Sequence, residues 1–311
     1  MAPSEAVAIL GLAGKFPIRG VITALVTPFT PPGEVDGGAL REIVRFQLSH
    51  EVNGFFVCGT TGLGPAMPSE QRKIAAELVI KETAKRIPVI VQVGAMDPQV
   101  SFELASHAEK IGADAIASLT PFYYKPGEDA IIEYYRDLSE STALPWFVYN
   151  IPRNTGNNVD ANLLCKLSKI PNAIGIKDSS QDFSQLLGYL TTVPEGFNVI
   201  VGTDSYLFSA LCAGAQGGVS ALANAFPELL VGVYEALGRK DLAKGGELQR
   251  KVHELRNALS EPPIAPLLEV LKLRGLKSGL VRSPLRSMTA AELESLRSSV
   301  TRILPGLKLA S

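Results

Sequence analysis

The sequence predicts an α/β fold, a (β/α)8 TIM barrel with a C-terminal helical extension. Three observations carry that prediction. Short apolar runs rich in β-branched residues alternate with longer amphipathic stretches, as repeated βα units require. Eight such runs fall between Gly20 and Ser220, the number a closed parallel barrel needs. Past Ala225-Phe226-Pro227 the strand pattern stops and only helical patterns follow.

In chain order, the expected strands cover residues 20–26, 54–58, 89–93, 115–118, 146–149, 174–177, 198–201 and 217–220. The stretches 38–50, 69–86, 98–111 and 128–139 show helical periodicity, and each is long enough to cross back over a parallel sheet. Ser69 is placed to cap the second of them. Beyond the barrel, 227–238, 244–260, 263–273 and 289–303 read as helices. The chain therefore divides into a tail over 1–17, the barrel over 18–226 and the extension over 227–311. No stretch rich in Gly, Ser or Pro separates barrel from extension.

Composition narrows the function classes. The chain has 311 residues, 46% hydrophobic and 20% charged, which suits one large α/β domain. A net charge of -1 without a long basic run leaves no electrostatic footprint for nucleic acid. The apolar stretch 6–14 lacks a basic leader and is too short to span a bilayer, so a cytoplasmic protein without membrane attachment is expected. Cys58, Cys165 and Cys212 lie far apart without metal-binding spacing and are expected as buried free thiols. His50, His107 and His253 are equally scattered, so no metal is expected.

The strand ends carry the chemistry. Lys177 follows Ile174-Gly175-Ile176 and precedes Asp178, which places an amine where a barrel builds its active site. Burial there disfavours the ammonium form and leaves a free amine able to attack a ketone. The plainer alternatives are a lysine reaching solvent or paired with Asp178. Tyr149, in Val148-Tyr149-Asn150-Ile151-Pro152, offers a phenol at another strand end. Gly59-Thr60-Thr61-Gly62 offers two hydroxyls and a run of backbone N–H groups able to hold a carboxylate. An amine, a phenol and a hydroxyl pair are the parts of an enzyme that forms a Schiff base with a carbonyl acid.

The order and wording of these runs resemble the dihydrodipicolinate synthase/N-acetylneuraminate lyase family of pyruvate-type lyases, from Gly20 onward. The resemblance implies that Lys177 forms an imine with the 2-oxo carbon of a small-molecule substrate and that Tyr149 transfers protons. It implies further that Thr60 relays protons, that Gly59 and Thr61 belong to the carboxylate pocket, and that Gly202, Asp204 and Val219 border the substrate. In Thr120-Pro121-Phe122-Tyr123-Tyr124, Tyr123 matches a tyrosine that reaches into a neighbouring subunit's site. A homotetramer built as a dimer of dimers follows from that match. Because the imine is itself the electron sink, no cofactor is expected.

Three departures bear on the substrate. Synthases of the family usually carry an arginine two residues after the proline of the tyrosine motif, to hold the second substrate's carboxylate; here that residue is Asn154. Arg153 stands beside it, one residue out of place. The wording Gly62-Leu63-Gly64-Pro65 is similar to 2-keto-3-deoxygluconate aldolases, whereas Asn154 and Ala221-Leu222-Ala223-Asn224 are similar to 4-hydroxy-2-oxoglutarate aldolases. Sialic acid lyases show an acidic pair where this chain has Asp204-Ser205. The leading expectation is an aldolase for 2-keto-3-deoxy sugar acids, with a neutral hydroxylated aldehyde as partner. Dihydrodipicolinate synthase, the 4-hydroxy-2-oxoglutarate and sialic acid enzymes, a dehydratase and a silent keto-acid-binding barrel are the alternatives.

Overall fold

The structure is a computed structural model that describes residues 18–259 and 262–309; the expected tail over 1–17 lies outside them. Eight parallel strands close into a barrel in sequence order. They are β1 (Gly20–Ala24), β2 (Gly54–Val57), β3 (Val89–Gln92), β4 (Ala115–Leu119), β5 (Trp146–Asn150), β6 (Ala173–Asp178), β7 (Asn198–Val201) and β8 (Gly217–Ser220). Around them run α1 (Gly37–Ser49), α2 (Ser69–Thr83), α3 (Pro98–Lys110), α4 (Glu128–Glu140), α5 (Pro152–Thr155), α6 (Ala161–Leu167), α7 (Phe183–Thr192) and α8 (Leu207–Cys212). The extension holds α9 (Pro227–Gly238), α10 (Leu242–Ala258), α11 (Ile264–Leu273) and α12 (Ala290–Ile303).

Period-two alternation explains why the strands read as almost unbroken apolar runs. Ile22, Phe56, Ile90, Phe147 and Ile200 fill the barrel interior. Their neighbours Val21, Phe55, Val57, Val91, Val148 and Val199 pack outward beneath the helices. Both faces are buried, so neither demands polar residues. Each fully buried Ile or Phe contributes about 1.5–3 kcal/mol. Gly175 makes the interior possible near β6, since a β-carbon there would stand 2.3 Å from the Phe147 ring.

Three expectations need correction. α2 stops at Thr83 rather than residue 86, because Ala84 and Lys85 turn into the left-handed region at φ 51° and 61°. Ser69 is the first helical residue, not the cap; Pro68 holds that place without a side-chain bond. Only Cys58 of the three free thiols is buried: Cys165 is half-buried, and Cys212, ending α8, is exposed. Residue 260, at the expected end of the second extension helix, lies outside the described residues, and α10 ends at Ala258.

The seam between the first and last strands is closed by side chains as well as by the sheet ladder. β1 pairs with β8 in parallel, with Ile22 opposite Val219. The Asn224 amide donates to the Ala24 carbonyl at 2.7 Å, and its oxygen accepts from Val26 N–H at 3.0 Å. Gln47 of α1 donates to the carbonyls of Ala223 and Asn224 at 2.9 and 2.8 Å, and its own carbonyl accepts from the Thr23 hydroxyl at 2.8 Å.

The extension returns to the barrel. α9 packs on α8 and β1, and α10 packs on α9, α12 and the turn after β7. Gln249 of α10 donates to the Asp204 carbonyl at 2.9 Å and accepts from Phe208 N–H at 2.7 Å. These bonds fix α10 at the C-terminal mouth, the end of a barrel where catalytic groups gather.

Candidate active site

Lys177 is the penultimate residue of β6, opposite Tyr149 in the β5–β6 register. Both side chains point into the barrel mouth. The amine nitrogen lies 3.9 Å from the centre of the Tyr149 ring and 4.0 Å from that of Phe56. The two rings meet edge to face at 5.4 Å. Lys177 is 5% exposed, and burial lowers its pKa; the Tyr149 phenol and the Asp204 carboxylate oppose that shift. An amine held this way spends more of its time uncharged than a lysine in water, as nucleophilic attack requires.

Asp178, next along β6, faces the other way, as alternation dictates. Its carboxylate accepts from the Asn150 amide at 2.9 Å and the Ser180 hydroxyl at 2.7 Å. Asn150 in turn accepts from Val159 N–H at 3.0 Å. The ends of β5 and β6 are thus tied together behind the two inward-facing groups. A Lys177–Asp178 pair is excluded by this arrangement.

The Thr60 hydroxyl lies 3.0 Å from the Tyr149 hydroxyl. The turn that presents it is tight: Leu63 N–H donates to the Thr60 carbonyl at 3.1 Å and Gly64 N–H to Gly59 at 3.0 Å. Cys58 and Leu63 bracket it in the left-handed region, at φ 58° and 56°. Non-glycine residues there store strain that surrounding structure must hold, a recurrent property of working turns. Gly64 has no alternative, since a β-carbon would stand 1.7 Å from the Cys58 carbonyl oxygen.

These groups open into a cavity of about 380 Å³. Of the residues singled out in the sequence, Thr60, Thr61, Tyr149, Asn154, Lys177, Gly202, Asp204 and Val219 line it together. Gly59 does not; it is buried against the Phe56 ring. Tyr123 does not either; it stands 79% exposed at φ 77°, its ring edge to face with Tyr124 at 5.1 Å. Among the described residues no three of His, Cys, Asp and Glu gather as metal ligands would. A second, apolar cavity of about 190 Å³ adjoins the first, walled by Leu63, Pro65, Leu119 and Phe122 and sharing Thr60, Ile151 and Asn154.

The sequence reading gave no site role to several contributors. Phe56 covers the amine; its parity with the inward residues of β2 was the available signal. Arg153, one residue from the expected place, lines the cavity from the one-turn helix α5. Arg256 of α10 and Pro262-Pro263-Ile264 line it from the extension, and nothing local marks them.

Fold and site together define a barrel lyase built around a buried lysine. The family model of the dihydrodipicolinate synthetase family matches residues 17–303, and the chain belongs to that family. It is thus an enzyme, a carbon–carbon lyase of the kind that works through a lysine imine with a 2-oxo acid. It is 36% identical over 272 residues to an uncharacterized DapA-like lyase of Halobacterium salinarum, covering 87% of this chain and 89% of that one. It is 32% identical to the 4-hydroxy-tetrahydrodipicolinate synthase of Syntrophus aciditrophicus, covering 90% and 96%. The crystal structure of YagE, a prophage protein of the same family from E. coli K12 in complex with pyruvate, superposes with a TM-score of 0.89 at 27% identity, covering 92% and 99%.

Proposed function

We propose that the protein is a class I aldolase that cleaves or forms 2-keto-3-deoxy sugar acids through an imine at Lys177. The observation that carries this reading is the Lys177 amine, buried between two rings beside the hydrogen-bonded Tyr149 and Thr60 hydroxyls. In the cleavage direction the amine adds to the 2-oxo carbon and water leaves. Tyr149 takes the proton of the C4 hydroxyl, the C3–C4 bond breaks, and its electrons enter the protonated imine to give an enamine. The aldehyde departs, C3 is protonated, and water hydrolyses the imine to pyruvate. Thr60 passes the proton on from Tyr149, while Thr61 and the N–H groups of its turn hold the carboxylate. Gly202, Asp204 and Val219 form the wall against the substrate's chain.

The names of several relatives favour a second reading, condensation with aspartate semialdehyde by a synthase. Asn154 speaks against it, since an amide supplies no fixed charge for that substrate's carboxylate. The reading includes a cytoplasmic homotetramer, a dimer of dimers in which Tyr123 completes the neighbour's site. Its support is an exposed tyrosine pair on a loop held in place by Asn157, whose amide donates to the carbonyls of Pro121 and Tyr124 at 2.7 and 3.0 Å. Borohydride trapping with pyruvate, read by intact mass, tests the imine: a stable adduct on the wild type and none on Lys177→Ala is expected. Product mass from pyruvate with a panel of aldehydes then separates aldolase from synthase.

A further inference from the structure

We propose that Asp178 and Asn150 are positioning residues, which hold Lys177 and Tyr149 at their working separation from the opposite face of the sheet. This deepens the imine reading of Lys177 and rests on it. Neither residue lines the cavity, and both are fully buried. In the β5–β6 register Asn150 stands opposite Asp178, one place beyond the pair Tyr149 and Lys177. Alternation sends the first pair outward, toward α7, and the second inward to the barrel mouth. Whatever shifts one strand end against the other therefore moves both pairs together.

The backbone ladder does not run evenly along these strands: its register shifts between Trp146 and Phe147, at the start of β5. Side chains supply the lock at the other end. The Asn150 amide donates to Asp178 at 2.9 Å and to the Tyr189 hydroxyl of α7 at 3.3 Å. Its oxygen accepts from Val159 N–H at 3.0 Å, and the Tyr189 hydroxyl donates to the Val159 carbonyl. The Ser180 hydroxyl donates to the second carboxylate oxygen of Asp178 at 2.7 Å, and the Asp178 carbonyl accepts from Gly202 N–H at 2.6 Å. β5, β6, α7 and the residue after β7 thus meet at Asn150 and Asp178.

The carboxylate is costly to keep in that place. Among the described residues the donors it accepts from are uncharged: the Asn150 amide, the Ser180 hydroxyl and, at 3.4 Å, Ser180 N–H. Burial raises its pKa, and the bonds from Ser180 and Asn150 oppose that shift. A buried carboxylate held by neutral donors weakens a fold that an apolar side chain would serve more cheaply. Conflicts of this kind between stability and retained polarity gather where function needs them. Asp178 does not serve the amine as a charge, since it faces away and the carboxylate that supports the ammonium form is Asp204. Its contribution is geometric: two short, directional bonds fix where β6 ends relative to β5.

The test follows exchange of the pyruvate methyl hydrogens with solvent deuterium by NMR, which needs the imine and proton transfer at C3 but no aldehyde. Competent sites are counted by borohydride trapping with pyruvate, read by intact mass. In Asp178→Ala the exchange rate per trapped site should fall by about 10–100-fold, up to the cost of a displacement near 1 Å. The pyruvate concentration at half-maximal rate should stay near the wild-type value, because the turn carrying Thr60 and Thr61 is untouched. Asp178→Asn keeps the shape and an acceptor for Asn150, and should recover most of the rate. If Asp178→Ala does not fold, Ser180→Ala takes its place with a smaller fall of the same kind, since it removes a single bond. A purely structural role would lower the melting temperature and the number of trapped sites while leaving the rate per trapped site unchanged, and that result overturns the proposal. A loss in Asp178→Asn as large as in Asp178→Ala overturns it too, because charge rather than placement would then be the operative property. Absence of a pyruvate adduct on the wild type would overturn the imine reading instead, so the two failures are distinguishable.

Discussion

Gly202 at the end of β7 leaves the space through which the Lys177 stem passes: a β-carbon at Gly202 would stand 3.1 Å from Lys177 Cε and 2.1 Å from the Ser179 hydroxyl oxygen. The amine's position therefore depends on an absent side chain just past the end of the neighbouring strand. Gly202→Ala should slow borohydride trapping with pyruvate by about 10²-fold, the usual cost of a displacement near 1 Å, with the circular dichroism spectrum retained. Trapping at the wild-type rate would show that the stem has room to spare.

The pH dependence of trapping should follow the Lys177 amine. Only the free base attacks, and burial lowers its pKa, so the rising limb of the rate should have its midpoint below the ordinary lysine value. A midpoint at or above that value would contradict the buried, ring-flanked setting.

Tyr149→Phe should lower kcat by about 10²–10⁴-fold, the typical contribution of general acid–base catalysis, while the fold persists. Because the Thr60 and Tyr149 hydroxyls are 3.0 Å apart, Thr60→Val and Tyr149→Phe should be non-additive in the double variant. Full additivity would separate the two hydroxyls into independent roles.

Lys177→Met should cost all imine chemistry and stabilise the fold. With its folded pKa lowered, Lys177 binds fewer protons in the native chain than in the unfolded one across the window up to the ordinary lysine value. Wild-type stability therefore rises with pH through that window, and the advantage of Lys177→Met is fullest below it and vanishes above it. Thermal melts should record a gain of roughly 2–4 °C per kcal/mol at neutral pH. No gain would mean that the rings and hydroxyls around the amine already compensate its burial.

If Tyr123 serves a neighbouring site, Lys177→Ala and Tyr123→Phe proteins, each inactive alone, should regain some activity when their subunits exchange. One site of a mixed dimer then has both its own lysine and its partner's tyrosine. Verified exchange without rescue would assign Tyr123 a different role.

The sequence made the barrel legible because a parallel sheet buried on both faces leaves dense apolar runs at regular spacing. It made Lys177, Tyr149 and Thr60 legible because each sits at the end of such a run. It hid α5, α6 and α8, which are too short for helical periodicity to show. The left-handed turn at Ala84 and Lys85 was hidden as well, since neither residue type advertises a positive φ. Arg256 was out of reach for a different reason. It lines the cavity because tertiary packing, including the Gln249 bond two turns earlier on α10, docks the helix on the turn after β7.

The seam between β1 and β8 sets a schedule for biosynthesis. One edge of β1 and the side-chain amide of Gln47 find their partners among residues 217–224, so a chain emerging from the ribosome must carry them unpaired until most of the protein exists. Loop closure over that span is a slow, late step. A truncated product ending before Gly217 would leave β1 as an open edge, ready to pair with another copy, and quality control would meet it as an aggregation hazard rather than as a weak enzyme.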